Sequence, residues 1–181
     1  MEFRMFIWLL LLKKNNTMKS NRLQLTLFVT EKLEIEKVRM KFNPEQYKLI
    51  EAHVTLCRED EIVDLKTIIN NLKSIQLSEP ICIYFNSPIT FDNGKGVLLP
   101  AVENNVAFNN LRKLVLGIES PRNHQAHITL MHPRNSICTP EIFEQIQNHN
   151  FPQQFHFDSV HLIEQENEGK WKVLAKFELL N

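Results

Sequence analysis

The sequence predicts an α+β fold, duplicated and two-lobed, with antiparallel sheets facing a central cleft. Three observations predict it. The pentapeptide AHVTL at 52–56 returns as AHITL at 126–130, its histidine displaced by 74 positions. The strand and helix patterns around each copy follow one order, β-α-β-α-β, as a duplication would. The composition, 43% hydrophobic and 23% charged over 181 residues with no low-complexity tract, suffices for one globular domain with a real core.

The first repeat runs from about 22 to 91. LQLTLFVT at 23–30 alternates apolar and polar residues, which predicts a strand. EKLEIEKVRMKF at 31–42 has helical spacing, and Asn43-Pro44 breaks the chain after it. HVTL is a short strand. Residues 59–72 carry Ile62, Leu65, Ile68, Ile69 and Leu72 on one helical stripe, and 80–91, rich in Ile, Tyr and Phe, predicts a further strand.

The second repeat runs from about 96 to 179. Asp92-Asn93-Gly94 signals the turn that opens it. Residues 96–102 predict a strand whose Pro100 points to an edge or a bulge. Residues 104–118 place Val106, Leu111, Leu114, Val115 and Ile118 on one helical face, and HITL follows. Thr139-Pro140 is a cap followed by proline at the first helical position, and that helix is expected to reach about His149. Residues 155–164 and 171–179 read as a hairpin around Asn167-Glu168-Gly169.

The amino-terminal run from Met5 to Leu12 is apolar but too short to span a bilayer, and no small-x-small cleavage pattern follows it. Residues 1–17 are expected to lie outside the core fold, which then occupies 18–181. Lys+Arg and Asp+Glu number 21 each, so net charge is zero. Long duplex nucleic acid is disfavoured as a partner, because it demands a basic face that neutralises many phosphates. A small phosphate ester needs only one or two local cations. Cys57, Cys82 and Cys138 have no zinc spacing and read as reduced thiols of a cytoplasmic protein, with Cys57 and Cys82 packed in strands. A monomer without stable membrane association is expected.

Residues i and i+2 of a strand share a face. His53 and Thr55 therefore project together, as do His127 and Thr129, while Val54, Leu56, Ile128 and Leu130 point into the core. An approximate two-fold would bring both faces to one small space. The hydroxyls can donate to nonbridging phosphate oxygens. The imidazoles titrate near neutrality, so one can serve as base and the other as acid, each role worth roughly 10²–10⁴-fold in rate. Donors already placed at the equatorial oxygens of a pentacoordinate phosphorus help most. A lone His-x-Thr is usually an ordinary half-buried strand. Two copies sharing four of five residues, when none of the other five histidines has Ser or Thr two positions on, point to one shared site.

The paired HVTL and HITL motifs resemble those of the 2H phosphoesterase superfamily, which includes the 2′-5′ RNA ligase-like proteins and RNA cyclic phosphodiesterases. The resemblance covers about 20–180. It implies metal-independent opening of nucleoside or RNA-terminal 2′,3′-cyclic phosphate to 2′-phosphate, with 2′-5′ joining of RNA ends among relatives. It carries over His53 and His127 as catalytic and Thr55 and Thr129 as phosphate-binding. By analogy His127 activates water and His53 protonates the leaving oxygen. No cofactor is implied.

Arg58 and Arg134, shortly after each motif, are candidate substrate guides, since guanidinium suits phosphate. Phe28 and Tyr84 are candidate base-stacking residues. Regular alternation from 122 onward would turn His124 away from His127. His132, before Pro133, is expected in a loop. His124, His132 and the cysteines match no metal-site spacing, and no glycine-rich phosphate loop or serine elbow is present. The competing functions are a 2′-5′ RNA ligase and a non-catalytic module that binds nucleotides or RNA ends.

Overall fold

Strand β1 (Asn21–Phe28) begins the computed structural model, which describes residues 21–103 and 105–180. The expectation for residues 1–17 therefore falls outside the described residues. After β1 come α1 (Leu33–Phe42), α2 (Pro44–Leu49), β2 (His53–Cys57), α3 (Leu65–Ser74), β3 (Ile81–Tyr84) and β4 (Ile89–Phe91). The second half supplies β5 (Gly96–Pro100), α4 (Val106–Leu116), β6 (His127–Met131), α5 (Pro140–Gln147), β7 (Gln154–Phe157), β8 (Ser159–Glu166) and β9 (Lys172–Glu178).

The α+β class and its antiparallel sheets follow the sequence expectation. Seven strands form one sheet in the order β4-β5-β6-β2-β1-β8-β9, and β3 pairs with β7 in a second. The two motif strands do not face each other from separate lobes. They are neighbours at the centre of the large sheet, with Val54 opposite Ile128. Antiparallel pairing between repeat-equivalent residues defines a local two-fold axis through that point. The small sheet obeys the same relation, because Cys82 stands opposite His156, also 74 positions on. Helices cross over between repeats: α1 packs on β6 and α4 on β2, so neither repeat buries its own apolar face alone.

The register slips at matching places, between Leu25 and Thr26 against β2 and between Val97 and Leu98 against β6. Each slip skips one motif-strand residue, Leu56 or Leu130, as a β-bulge does. The bulge explains the shared burial pattern of β2 and β6. Val54 and Ile128 alternate inward, and then two successive residues turn in: Leu56 with Cys57, and Leu130 with Met131.

Local chemistry sets most boundaries. Asp64 caps α3 through the Lys66 amide, Thr139 caps α5 through the Ile142 amide, and Pro140 takes the first helical turn. Gly117 ends α4 at φ 66°, a left-handed conformation that only glycine adopts without strain. Asn43 ends α1, but Pro44 starts α2 instead of breaking helical structure outright, because its missing N–H is not needed in a first turn.

Several expectations are corrected. The runs 80–91 and 155–164 each split between the two sheets, at 85–88 and at Asp158. Pro100 closes an interior strand and not an edge, although the ladder of that strand with β6 does carry a bulge between Val97 and Leu98; Pro100 lies beyond the end of β4, so no ladder bond on that side needs its amide. The buried face of α4 is Phe108, Leu111, Arg112 and Val115, whereas Val106, Leu114 and Ile118 are exposed. An arginine on the stripe concealed its phase. Cys57, Cys82 and Cys138 are free thiols, and no helix of the described residues is long and apolar enough to cross a membrane.

Candidate active site

His53, Thr55, His127 and Thr129 all line one cleft of about 600 Å³ over the centre of the large sheet. The sequence predicted this convergence. Its cause is the β2–β6 pairing, which sets both i, i+2 pairs on the same face. Neither threonine hydroxyl has a hydrogen-bond partner among the described residues, so both are available to a ligand.

Both histidines are anchored identically. Nδ1 of His53 lies 2.8 Å from the Glu51 carbonyl oxygen, and Nδ1 of His127 lies 3.0 Å from that of Gln125. A carbonyl only accepts, so Nδ1 carries the proton in each ring. Nε2 is then a base in the neutral ring and a donor in the imidazolium. Burial pushes His53 down to about 4; the Glu51 carbonyl opposes that, and the charges of Arg39 and His127 reinforce it. Burial also lowers His127, with the Gln125 carbonyl opposing and Arg58 reinforcing.

The loops that lead into the two strands are each clamped by a buried arginine, Arg39 of α1 and Arg112 of α4. Arg39 pairs with Glu36 at 2.6 Å and donates to the Ile50 carbonyl at 2.6 Å. Glu36 also accepts from the Ala52 amide at 2.6 Å. Arg112 binds Glu61 at 2.6 Å and the Arg122 carbonyl at 3.0 Å, and it also donates to the carbonyl of the bulge residue Leu56. One guanidinium thus joins the strand of the first motif to the approach to the second. Sequence reasoning missed both arginines. The available signal was an arginine on an otherwise apolar helical stripe, 73 positions apart in the two repeats.

Arg58 and Arg134 line the cleft, exposed, with no side-chain partner among the described residues. Phe28 sits edge-on to His53 at 6.2 Å but lines a neighbouring cavity, not this cleft. Tyr84 is exposed on β3, outside the cleft lining. The aromatic residue that does line it is Trp171, which the sequence reading used only as a strand marker; Arg22 stacks over its ring at 5.5 Å. His124 corrects a conditional expectation. Residues 121–126 are not a strand, so alternation does not apply. His124 lines the cleft 6.2 Å from His127, donating through Nε2 to the Thr55 carbonyl at 3.1 Å. His132 lies in the loop after β6, on the cleft wall. No group of three or more His, Cys, Asp or Glu is placed to hold a metal among the described residues.

A fold with a central pair of duplicated His-x-Thr strands defines a 2H-type phosphoesterase architecture. The model of the 2′-5′ RNA ligase superfamily matches residues 29–169, and the chain belongs to that superfamily. No curated protein matches significantly by sequence. Solved structures share the fold at low identity. E. coli LigT complexed with phosphate is 13% identical, covering 91% of this chain and 100% of its own, with a TM-score of 0.56. LigT complexed with 3′-AMP is 15% identical over 89% and 99%, with a TM-score of 0.58. TT0787 of Thermus thermophilus is 19% identical over 87% and 97%, with a TM-score of 0.55.

Proposed function

We propose that this protein opens 2′,3′-cyclic phosphates of nucleosides or RNA ends to 2′-phosphates by metal-independent acid–base catalysis. One observation carries the reading: two His-x-Thr pairs share one cleft, each imidazole held by Nδ1 on a backbone carbonyl so that Nε2 is left for the substrate. The cyclic phosphate sits between the two pairs, its nonbridging oxygens accepting from the Thr55 and Thr129 hydroxyls. Nε2 of His127 takes a proton from water as the water oxygen bonds to phosphorus. The bond from phosphorus to the 3′ oxygen breaks, and that oxygen takes the Nε2 proton of His53. A 2′-phosphate remains. Arg58 and Arg134 draw the anion in from the rim, and the preset hydroxyls stabilise charge gained by the equatorial oxygens. The local dyad makes the two imidazoles equivalent in anchoring. With the 5′ hydroxyl of a second RNA end in place of water, the same groups in the same roles form a 2′-5′ phosphodiester as the 3′ oxygen leaves, which is the chemistry a 2′-5′ RNA ligase requires. Support also comes from the same fold in LigT, solved with phosphate and with 3′-AMP.

The test is incubation with the four nucleoside 2′,3′-cyclic monophosphates in EDTA, products resolved by phosphorus NMR, with His53→Ala and His127→Ala alongside. A 2′-phosphate from wild type alone is the expected result. Turnover retained by either variant would sink the two-histidine mechanism. Tight binding of the 2′-nucleotide without any turnover would favour the binding module.

A further inference from the structure

His124 and Ile50 hold the same place in the two repeats, three residues ahead of His127 and His53, and both line the cleft. The duplication is unequal here. Ile50 is apolar and 5% exposed, whereas His124 brings a third imidazole to the side of His127. We propose that His124 is a further catalytic residue, which holds the second hydrogen of the attacking water and so favours water over an alcohol as nucleophile. The proposal deepens the phosphodiesterase reading and rests on it.

The tautomer follows from the backbone. His124 Nε2 lies 3.1 Å from the Thr55 carbonyl oxygen, which only accepts, so Nε2 carries the proton and Nδ1 keeps its lone pair. Nδ1 has no hydrogen-bond partner among the described residues and is not buried, which leaves it to the cleft that His124 lines. Phe108 stacks on the ring at 6.1 Å, 30° between planes, and so fixes its tilt. Burial, reinforced by the charges of Arg112, His127 and Arg58, pushes His124 down to about 4 against the opposing Thr55 carbonyl, so the lone pair persists at neutral pH.

The spacing of the rings suits a shared water. A water that donates to one nitrogen on each of two rings, at about 2.8 Å and with its O–H bonds roughly 105° apart, sets the ring centroids roughly 6 Å apart. The centroids of His124 and His127 are 6.2 Å apart. Nε2 of His127 takes one proton as the water oxygen bonds to phosphorus. The other hydrogen stays on that oxygen, held by His124 Nδ1, and leaves on the 2′-phosphate. The bond to the 3′ oxygen breaks, and that oxygen takes the proton of His53. An alcohol has a single hydrogen on its oxygen. It satisfies His127, leaves His124 Nδ1 without a donor, and competes at a disadvantage.

The experiment incubates the full chain with cytidine 2′,3′-cyclic monophosphate in buffer containing a fixed amount of methanol. Phosphorus NMR separates the 2′-phosphate from its methyl ester. His124→Gln keeps a donor for the Thr55 carbonyl and loses the Nδ1 acceptor. His124→Phe keeps only the ring on Phe108, and His124→Asn returns an acceptor near the Nδ1 position. Each is checked by thermal melting. The Gln and Phe variants should raise the ratio of methyl ester to phosphate about three- to ten-fold, the worth of one hydrogen bond, with KM near wild type. The Asn variant should return the ratio close to that of wild type. An unchanged ratio in a folded Gln or Phe variant overturns the proposal, and so does an equal rise in all three, which would place the role in packing. No 2′-phosphate from wild type would overturn the phosphodiesterase reading and this inference together, whereas an unchanged ratio beside an active wild type removes this inference alone.

Discussion

Val54 stands directly opposite Ile128, and the two are the same position of the two repeats. This one relationship organises the cleft. An antiparallel pair of equivalent residues places the next residue on each strand, His53 or Thr55, His127 or Thr129, symmetrically about the dyad. The four polar side chains share the exposed face, while Val54, Leu56, Ile128 and Leu130 are fully buried beneath them. A one-residue slip of β2 against β6 would turn one pair into the core. The bulges beside Leu56 and Leu130, the cross-packed helices and the buried arginines all hold that register.

Replacing a threonine hydroxyl by a methyl tests the phosphate contacts without changing side-chain shape. Thr55→Val and Thr129→Val should each lower kcat by about 10²-fold, the usual loss for one preset donor to a charged transition state, with KM changed little. Melting temperature should stay near wild type, since neither hydroxyl bonds to protein among the described residues. Steady-state kinetics and a thermal melt check both. A loss confined to KM would show that the hydroxyls hold the ground state only.

Arg112 is 1% exposed and its partner Glu61 9%. Arg112→Ala strands a buried carboxylate and leaves the Leu56 and Arg122 carbonyls without this donor, so a loss of about 3–5 kcal/mol is expected. Burial raises the Glu61 pKa, but its hydrogen bonds to Arg112 and to the Arg58 amide, with the charges of Arg112 and Arg122, outweigh burial and hold it below the usual value. Its stability contribution is therefore present above the unfolded carboxyl pKa and is lost as pH falls through the lower folded one. Urea unfolding of wild type and Arg112→Ala at neutral and acid pH checks this. The difference between them should narrow as Glu61 protonates; a constant difference would place the stabilisation in packing alone.

Arg58 and Arg134 are exposed at the cleft, so their attraction to an anion is screened by salt. Arg58→Ala and Arg134→Ala should each raise KM about two- to five-fold, in keeping with the modest strength of exposed charge pairs, and leave kcat nearly unchanged. Measuring KM from low to high salt completes the test. Wild type should converge on the variants as salt rises, and an unchanging gap would mean that the guanidiniums act by direct hydrogen bonding.

The four motif residues were legible because strand alternation and exact repetition act over a few residues. So were the caps at Thr139 and the turn at Asn167-Glu168, whose positive φ values of 49° and 59° suit a tight hairpin. What escaped depends on contacts between distant segments. The pairing of β2 with β6 is a choice of neighbour that no single strand encodes. Arg39 and Arg112 look like surface residues until the carbonyls they hold are known. His124 and Trp171 reach the cleft from irregular backbone, where periodicity says nothing about direction. Tyr84 fails as a cleft residue for a related reason: the strand expected over 80–91 divides, and its first part leaves for the small sheet.

The pH dependence of kcat/KM follows from burial of the two imidazoles. That ratio reports the free enzyme, so its limbs track the proton affinities of the empty cleft. Burial pushes His53 down to about 4 and also holds His127 below its ordinary value. The reaction needs one imidazole neutral and the other protonated. Activity therefore rises as pH climbs through the lower value and falls as it passes the higher, and both lie below the ordinary histidine range near 6.5. The predicted profile is a bell whose falling limb lies on the acid side of that value. A phosphodiester anion bound between the rings favours the imidazolium, so the falling limb of kcat should sit at higher pH than that of kcat/KM. A rate profile from about pH 3.5 to 9 at low and saturating substrate, checked for reversible folding at the acid end, measures both limbs. A falling limb of kcat/KM above about pH 7 would contradict control by these two half-buried histidines, and coincident limbs would mean that the substrate anion does not lie between them.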